Sequence, residues 1–156
     1  MILYYALGGG LGHITRAQAL LYTLQIQKSE AVILSFPLSA GIAGSFYYTV
    51  VSAPHGFRMN ADTCSIWIRQ MFLRYRPEIS FVDTFPAGLM GELYGCGFST
   101  EWHNVSRIFR IAKYLETNRL NPASCQRFST VWFTERLPLH DERLISSFAS
   151  VGRTID

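Results

Sequence analysis

The stretch Ile2-Leu3-Tyr4-Tyr5-Ala6-Leu7-Gly8-Gly9-Gly10-Leu11-Gly12-His13-Ile14-Thr15-Arg16 runs three patterns together. Residues 2 to 7 are continuously apolar, as expected of a strand buried on both faces. A glycine cluster follows at once. Beyond it Ile14, Ala17, Leu21 and Leu24, with Leu20 beside them, recur at the spacing of one helix face. A second apolar run, Ala31-Val32-Ile33-Leu34, ends before Pro37. Strand, glycine turn, helix and strand make the βαβ unit of a parallel sheet.

Outward from this unit the alternation continues. Tyr47 to Val51 reads as a third strand, closed by Ala53-Pro54 and a polar loop holding His55, Gly56 and Asn60. Cys64, Ile68, Met71, Phe72 and Tyr75 mark an amphipathic helix that carries Arg69, Arg74 and Arg76 and stops at Pro77. Ile79 to Val82 is a fourth strand ending in Asp83, and residues 87 to 94 read as a short helix. Arg107 to Ala112 fits a fifth strand, although the pattern also fits a helix over 104 to 115. Thr130 to Thr134 fits a sixth strand, and His140 to Phe148 a closing helix. The expected fold is α/β: a doubly wound, Rossmann-like, mostly parallel sheet of about six strands in one domain spanning 1–156. No internal repeat, low-complexity segment or linker interrupts it.

The 156 residues are one domain's worth, with 49% apolar and 16% charged residues, which excludes a disordered tail. Of 14 basic residues 12 are arginine, yet the formal net charge is only +3. That is too little for a nucleic-acid footprint. Cys64, Cys96 and Cys125 form no CxxC pair and suggest neither zinc nor a disulfide framework. No His/Asp/Glu grouping has metal-ligand spacing. With no basic n-region and no apolar run of spanning length, the expected compartment is the cytoplasm. The slightly positive mean hydropathy, +0.14, suits a large core or a face that meets a partner domain or a membrane surface.

Glycines between a buried strand and a helix let backbone amides approach a ligand, and the helix N-terminus adds positive potential. A phosphate, diphosphate or carboxylate suits such a place; a tight turn needing positive φ explains part of the same cluster. Two familiar phosphate motifs fail. The dinucleotide fingerprint needs glycine where His13 stands, and an acidic residue where Ser35 and Phe36 end the second strand. The P-loop needs Gly-Lys, whereas Gly12 precedes His13.

The loop Gly8-Gly9-Gly10-Leu11-Gly12-His13, with Arg16 one turn later, resembles the N-terminal glycine loop of GT-B glycosyltransferases, especially glycosyltransferase family 28 and related predicted glycosyltransferases. Val82-Asp83-Thr84-Phe85-Pro86-Ala87-Gly88-Leu89 with Glu92-Leu93 is similar to a D-x-F-P-x-G-L…E-L segment of those relatives. Arg110 to Leu115 and Glu135-Arg136-Leu137 fit the same order of strands. The resemblance implies the acceptor-side half of a two-domain GT-B fold, with the donor-binding domain absent from these residues. It implies an inverting, metal-independent transfer from a nucleotide-sugar such as a UDP-sugar to an acceptor hydroxyl, with no other cofactor. The expected partners are a second Rossmann domain, downstream in the same gene or as a separate subunit, and a sugar or lipid-linked acceptor. A non-catalytic module that recruits a separately encoded glycosyltransferase domain is the alternative.

Two residues carry the chemistry in this reading. His13, where strand passes to helix, is the candidate base, because an imidazole titrates near neutral pH. Asp83 matches the aspartate that orients it, although it also suits a helix cap ahead of residues 87 to 94. In a doubly wound sheet ordered 3-2-1-4-5-6, strands 1 and 4 are neighbours, so His13 and Asp83 are expected to face each other. Gly8, Gly9, Gly10, Gly12, Arg16, Thr84, Phe85, Pro86 and Gly88 are the expected substrate- and phosphate-binding residues. Ile66 to Arg76, apolar with interleaved arginines, fits either a crossover helix with a wet arginine face or a contact with a membrane surface.

Overall fold

The computed structural model describes residues 1–8, 10–38, 42, 44–54, 60–94, 97–106, 127–133 and 154–155. Gly9, the loop at 55–59, the expected strand at 107–112 and the expected closing helix at 140–148 lie outside the described residues, as do Cys96, Cys125, residues 110–115 and residues 135–137.

The strands are β1 (Ile2–Tyr5), β2 (Ala31–Ser35), β3 (Thr49–Ser52), β4 (Ile79–Asp83), β5 (Glu101–Ser106), β6 (Phe128–Phe133) and β7 (Thr154–Ile155). They form one seven-stranded sheet in the order β3-β2-β1-β4-β5-β6-β7, and every pairing is parallel. Among the described residues two α-helices accompany it, α1 (Leu11–Thr23) and α2 (Ala61–Tyr75), with a short 3-10 turn at Lys28–Glu30. This is the Rossmann-like α/β sheet, with β1 and β4 side by side where the winding reverses.

Each face of the sheet builds its own core. Alternate residues of a strand point to opposite faces, so Ile2, Tyr4 and Ala6 of the first strand and its continuation pack with Ile14, Ala17 and Leu21 of α1. Leu3, Tyr5 and Leu7 pack instead with Trp67, Ile68, Met71 and Phe72 of α2. The central strands are apolar on both sides because both sides are covered. Asn60 caps α2, its side chain accepting from the Thr63 amide at 2.8 Å. Arg76 ends the helix in the left-handed region at φ 43°, immediately before Pro77. The interleaved arginines of α2 stand on its wet face: Arg69, Gln70 and Arg74 are exposed, with Ile66 and Leu73 among them. No helix among the described residues is long and apolar enough to cross a membrane.

One expectation is corrected and two strands are added. The fifth strand of the sheet runs over Glu101–Ser106, while the expected strand at 107–112 lies outside the described residues. Its interior carries His103 and Asn104, which hide the strand from an apolar pattern. His103 nevertheless stacks on Phe81 and lies tilted beside Trp132, and Asn104 donates to the Val82 carbonyl at 3.0 Å. Residues 87 to 94 form successive turns and no helix. Gly88 and Gly91 both take positive φ, 83° and 85°, and the Glu92 carboxylate accepts the Leu89 and Met90 amides, diverting them from helical bonding. Finally, the sheet gains a two-residue strand at 154–155 that the sequence pattern does not announce. The third strand sits slightly later than expected and the sixth begins slightly earlier, as is usual for strand ends.

Candidate functional site

α1 begins without a side-chain cap. Its N-cap, Gly10, has φ 146° and ψ 177°, and no acidic residue stands in the first turn. Among the described residues no side chain caps the first-turn amides, which a helix cannot satisfy internally. Gly10 is needed for that backbone, since a side chain is rarely tolerated there. Gly8 is needed for a different reason. A Cβ at Gly8 would lie 2.1 Å from Nε2 of His13, so the imidazole edge rests directly on the glycine backbone. Gly12 stands in open space, where a Cβ would meet nothing.

From the third and sixth positions of α1, His13 and Arg16 reach over β1 toward β4. Asp83 ends β4 with its side chain wholly buried, whereas His13 and Arg16 are about one-fifth exposed. The register pairs Tyr5 with Val82, so Asp83 stands level with Ala6 and on the same face as α1. His13 Nδ1 lies 3.1 Å from Asp83 Oδ2. Arg16 donates through Nε and Nη2 to both carboxylate oxygens at 2.9–3.2 Å, and its Nη2 is also 3.3 Å from His13 Nδ1. The Thr84 hydroxyl donates to Asp83 Oδ1 at 2.8 Å. A buried carboxylate needs such pairing to stay charged, and one guanidinium, one hydroxyl and one imidazole supply it.

The backbone after β4 is built around this carboxylate. Thr84 takes φ 66°, an uncommon conformation for a β-branched residue. Its amide continues the sheet by donating to the Val105 carbonyl, while Phe85 turns back to the Asp83 carbonyl. Phe85 brings its ring to 5.9 Å from that of His13. Pro86 and Gly88 are buried in the turns that follow. A Cβ at Gly88 would lie 2.6 Å from the Glu92 carboxylate, so the glycine admits that side chain and does not front the cleft. Glu92 is buried and accepts from the Tyr5 hydroxyl as well as from the two loop amides. Burial, with the Glu92 charge next, pushes the Tyr5 hydroxyl well above its ordinary pKa. Sequence reasoning quoted Glu92 only as part of a motif. Its role as the anchor of the turns is legible only once Tyr5 is placed opposite.

Beside Gly8 opens a cleft of about 410 Å³ at the carboxyl ends of β1 and β2. Ala6, Leu11, Ile14, Phe36, Leu38 and Ile42 form its walls. Gly8 and Gly10 add backbone, and the buried Ser35 hydroxyl donates to the Phe36 carbonyl at 2.8 Å. The imidazole thus stands between two environments: Nδ1 is turned to the buried carboxylate, and Nε2 lies against the glycine that lines the cleft. When Nδ1 carries the hydrogen toward Asp83, Nε2 is left as the proton acceptor, on the side of Gly8.

Tyr4 lies below Asp83 on the same face. Its buried hydroxyl has no hydrogen-bond partner among the described residues. Burial raises its pKa well above the ordinary value, and the Asp83 charge adds to this. Among the described residues no group of three or more His, Cys, Asp or Glu side chains could hold a metal ion. The structure therefore brings together His13, Arg16, Asp83, Thr84 and Phe85, with Gly8 as their floor. It sets Gly12 apart in the open and uses Pro86 and Gly88 to shape the neighbouring turns. Comparisons of the chain with protein-family models, with curated proteins and with solved structures find no match.

Proposed function

We propose that this chain is the acceptor-binding half of an inverting, metal-independent glycosyltransferase. The observation that carries the reading is the His13–Asp83 pair, 3.1 Å apart, with the opposite edge of the imidazole on the cleft glycine. It is supported by the parallel sheet, whose carboxyl ends are where such folds bind ligands, and by the resemblance of the glycine loop to GT-B enzymes. In this reading Nε2 of His13 takes the proton of an acceptor hydroxyl. The freed oxygen attacks the anomeric carbon of a nucleotide-sugar. The bond from that carbon to the diphosphate oxygen breaks, and the nucleoside diphosphate leaves with the electron pair. Asp83 fixes the tautomer and stabilises the imidazolium, and Arg16 and Thr84 hold the carboxylate in place. The nucleotide-sugar is held by a second Rossmann domain, on the same polypeptide or on a partner subunit.

The test is release of nucleoside diphosphate from UDP- or GDP-sugars in the presence of hydroxylated acceptors and the donor-binding domain. His13→Ala should lower turnover by about 10²–10⁴-fold, as loss of a general base does, and Asp83→Asn should fall in the same range. A His13→Ala protein that turns over like its parent would remove the assigned base and the reading with it.

A further inference from the structure

We infer that the cleft beside Gly8 receives the apolar body of an uncharged hydroxy compound, a phenol or an apolar alcohol, in preference to a phosphorylated acceptor. This rests on the acceptor-side reading above and names the class of acceptor.

The argument begins with the walls. Leu11 and Ile14 from α1, Phe36 and Leu38 after β2, and Ile42 beyond them offer carbon and almost nothing else. Among the described residues no Lys, Arg, Asp or Glu lines the cleft. The sequence reinforces this, because Pro37 to Phe46 contains no charged residue. At about 410 Å³ the cleft falls within the size range of sites that enclose a drug-sized molecule.

Charge decides between acceptors. A phosphate monoester carries nearly two negative charges at neutral pH. The first-turn amides of α1 offer the equivalent of roughly half a positive charge. Arg16, the cation next to His13 in the cluster, donates through Nε and Nη2 to both oxygens of Asp83 and is not among the residues that line the cleft. A phosphate would have to leave water for apolar walls without a counter-ion, which is strongly unfavourable. A hydroxyl meets no such penalty. Its oxygen can accept from a first-turn amide, beside the Gly8 backbone on which Nε2 of His13 rests.

Fluorescence titration of the 156-residue chain with 2-naphthol and with 2-naphthyl phosphate tests the inference. The ring is shared, so only the charge differs. Saturable binding of 2-naphthol is expected, about tenfold or more tighter than that of the phosphate. Leu11 and Ile42 are 47% and 40% exposed, so their replacement leaves the core intact. Leu11→Lys should weaken 2-naphthol about tenfold and improve the phosphate, because it sets a cation at the mouth. Ile42→Asp should weaken both. Tighter binding of the phosphate by the parent chain, no binding of 2-naphthol, or 2-naphthol binding indifferent to both substitutions would overturn the inference. The two readings fail separately. Naphthol binding without transfer from any nucleotide-sugar would sink the transferase reading and leave the apolar cleft standing.

Discussion

His13 is held from three sides: Asp83 at Nδ1, Arg16 Nη2 at 3.3 Å, and the bare backbone of Gly8 beneath the ring. The third contact is the easiest to break selectively. In Gly8→Ala the new methyl would fall 2.1 Å from Nε2, so the ring must leave. Turnover should then drop as far as in His13→Ala, with about 1–3 kcal/mol of stability lost to overpacking. Urea unfolding together with the ¹⁵N shifts of the imidazole would separate the two effects; an unmoved imidazole spectrum would show that the contact does not position the ring. His13 and Asp83 were legible in the sequence because a sheet wound both ways must make neighbours of the strands that carry them. Arg16 was legible as a cation near the glycine loop, but not in its direction. A guanidinium one turn into a helix looks the same in sequence whether it meets an incoming phosphate or a resident carboxylate. The burial of Asp83, which draws Arg16 inward, is a tertiary fact.

Elements follow the same division. β1, β2, β4, α1 and α2 were legible because their apolar residues keep one period and because Asn60 and Pro77 mark the ends of α2. β5 was not, since His103 and Asn104 occupy interior places that only stacking and a side-chain bond to β4 make affordable. The turns after β4 were misread for a related reason. Small and apolar residues suggested a helix, whereas two positive-φ glycines and the Glu92 carboxylate impose turns. Glu92 therefore matters beyond its own position. Glu92→Ala would strand the Tyr5 hydroxyl proton and the Met90 amide, and would leave the Leu89 amide only its 3.1 Å bond to the Tyr5 oxygen. Leaving buried donors unsatisfied should cost about 2–4 kcal/mol. Denaturant unfolding should show a lower midpoint at an unchanged slope, because the rest of the sheet unfolds as before. A midpoint equal to that of the parent would mean that the turns do not depend on this anchor.

For the whole molecule, His103 makes stability depend on pH in a definite direction. Burial beside Phe81 and Trp132 lowers its pKa below the ordinary 6.5, and Glu101, 3.5 Å away, offsets only part of this. The unfolded chain therefore binds the proton more readily than the folded one. Stability is complete above the unfolded pKa and declines as pH falls through 6.5 toward the lower folded value. Thermal unfolding should show a falling Tm between pH 7 and pH 5, and His103→Gln should flatten that segment. A parent Tm that is flat or rising on acidification through this window would contradict the burial of a neutral imidazole.

The register of the sheet also constrains how the chain is made. β1 sits between β2 and β4, pairing Ile2 with Ala31 on one side and with Ile79 on the other. Its second partner is thus translated long after β1 itself. At about 5–20 residues per second, that delay is roughly 4–15 seconds on the ribosome. Throughout it, the Ile-Leu-Tyr-Tyr strand has at least one open edge, and until α2 follows at Ala61–Tyr75 it also has an uncovered apolar face. A nascent chain in that condition is a substrate for chaperones and a hazard for self-association. The strand that later carries the glycine loop to the site is, during synthesis, the segment most in need of shelter.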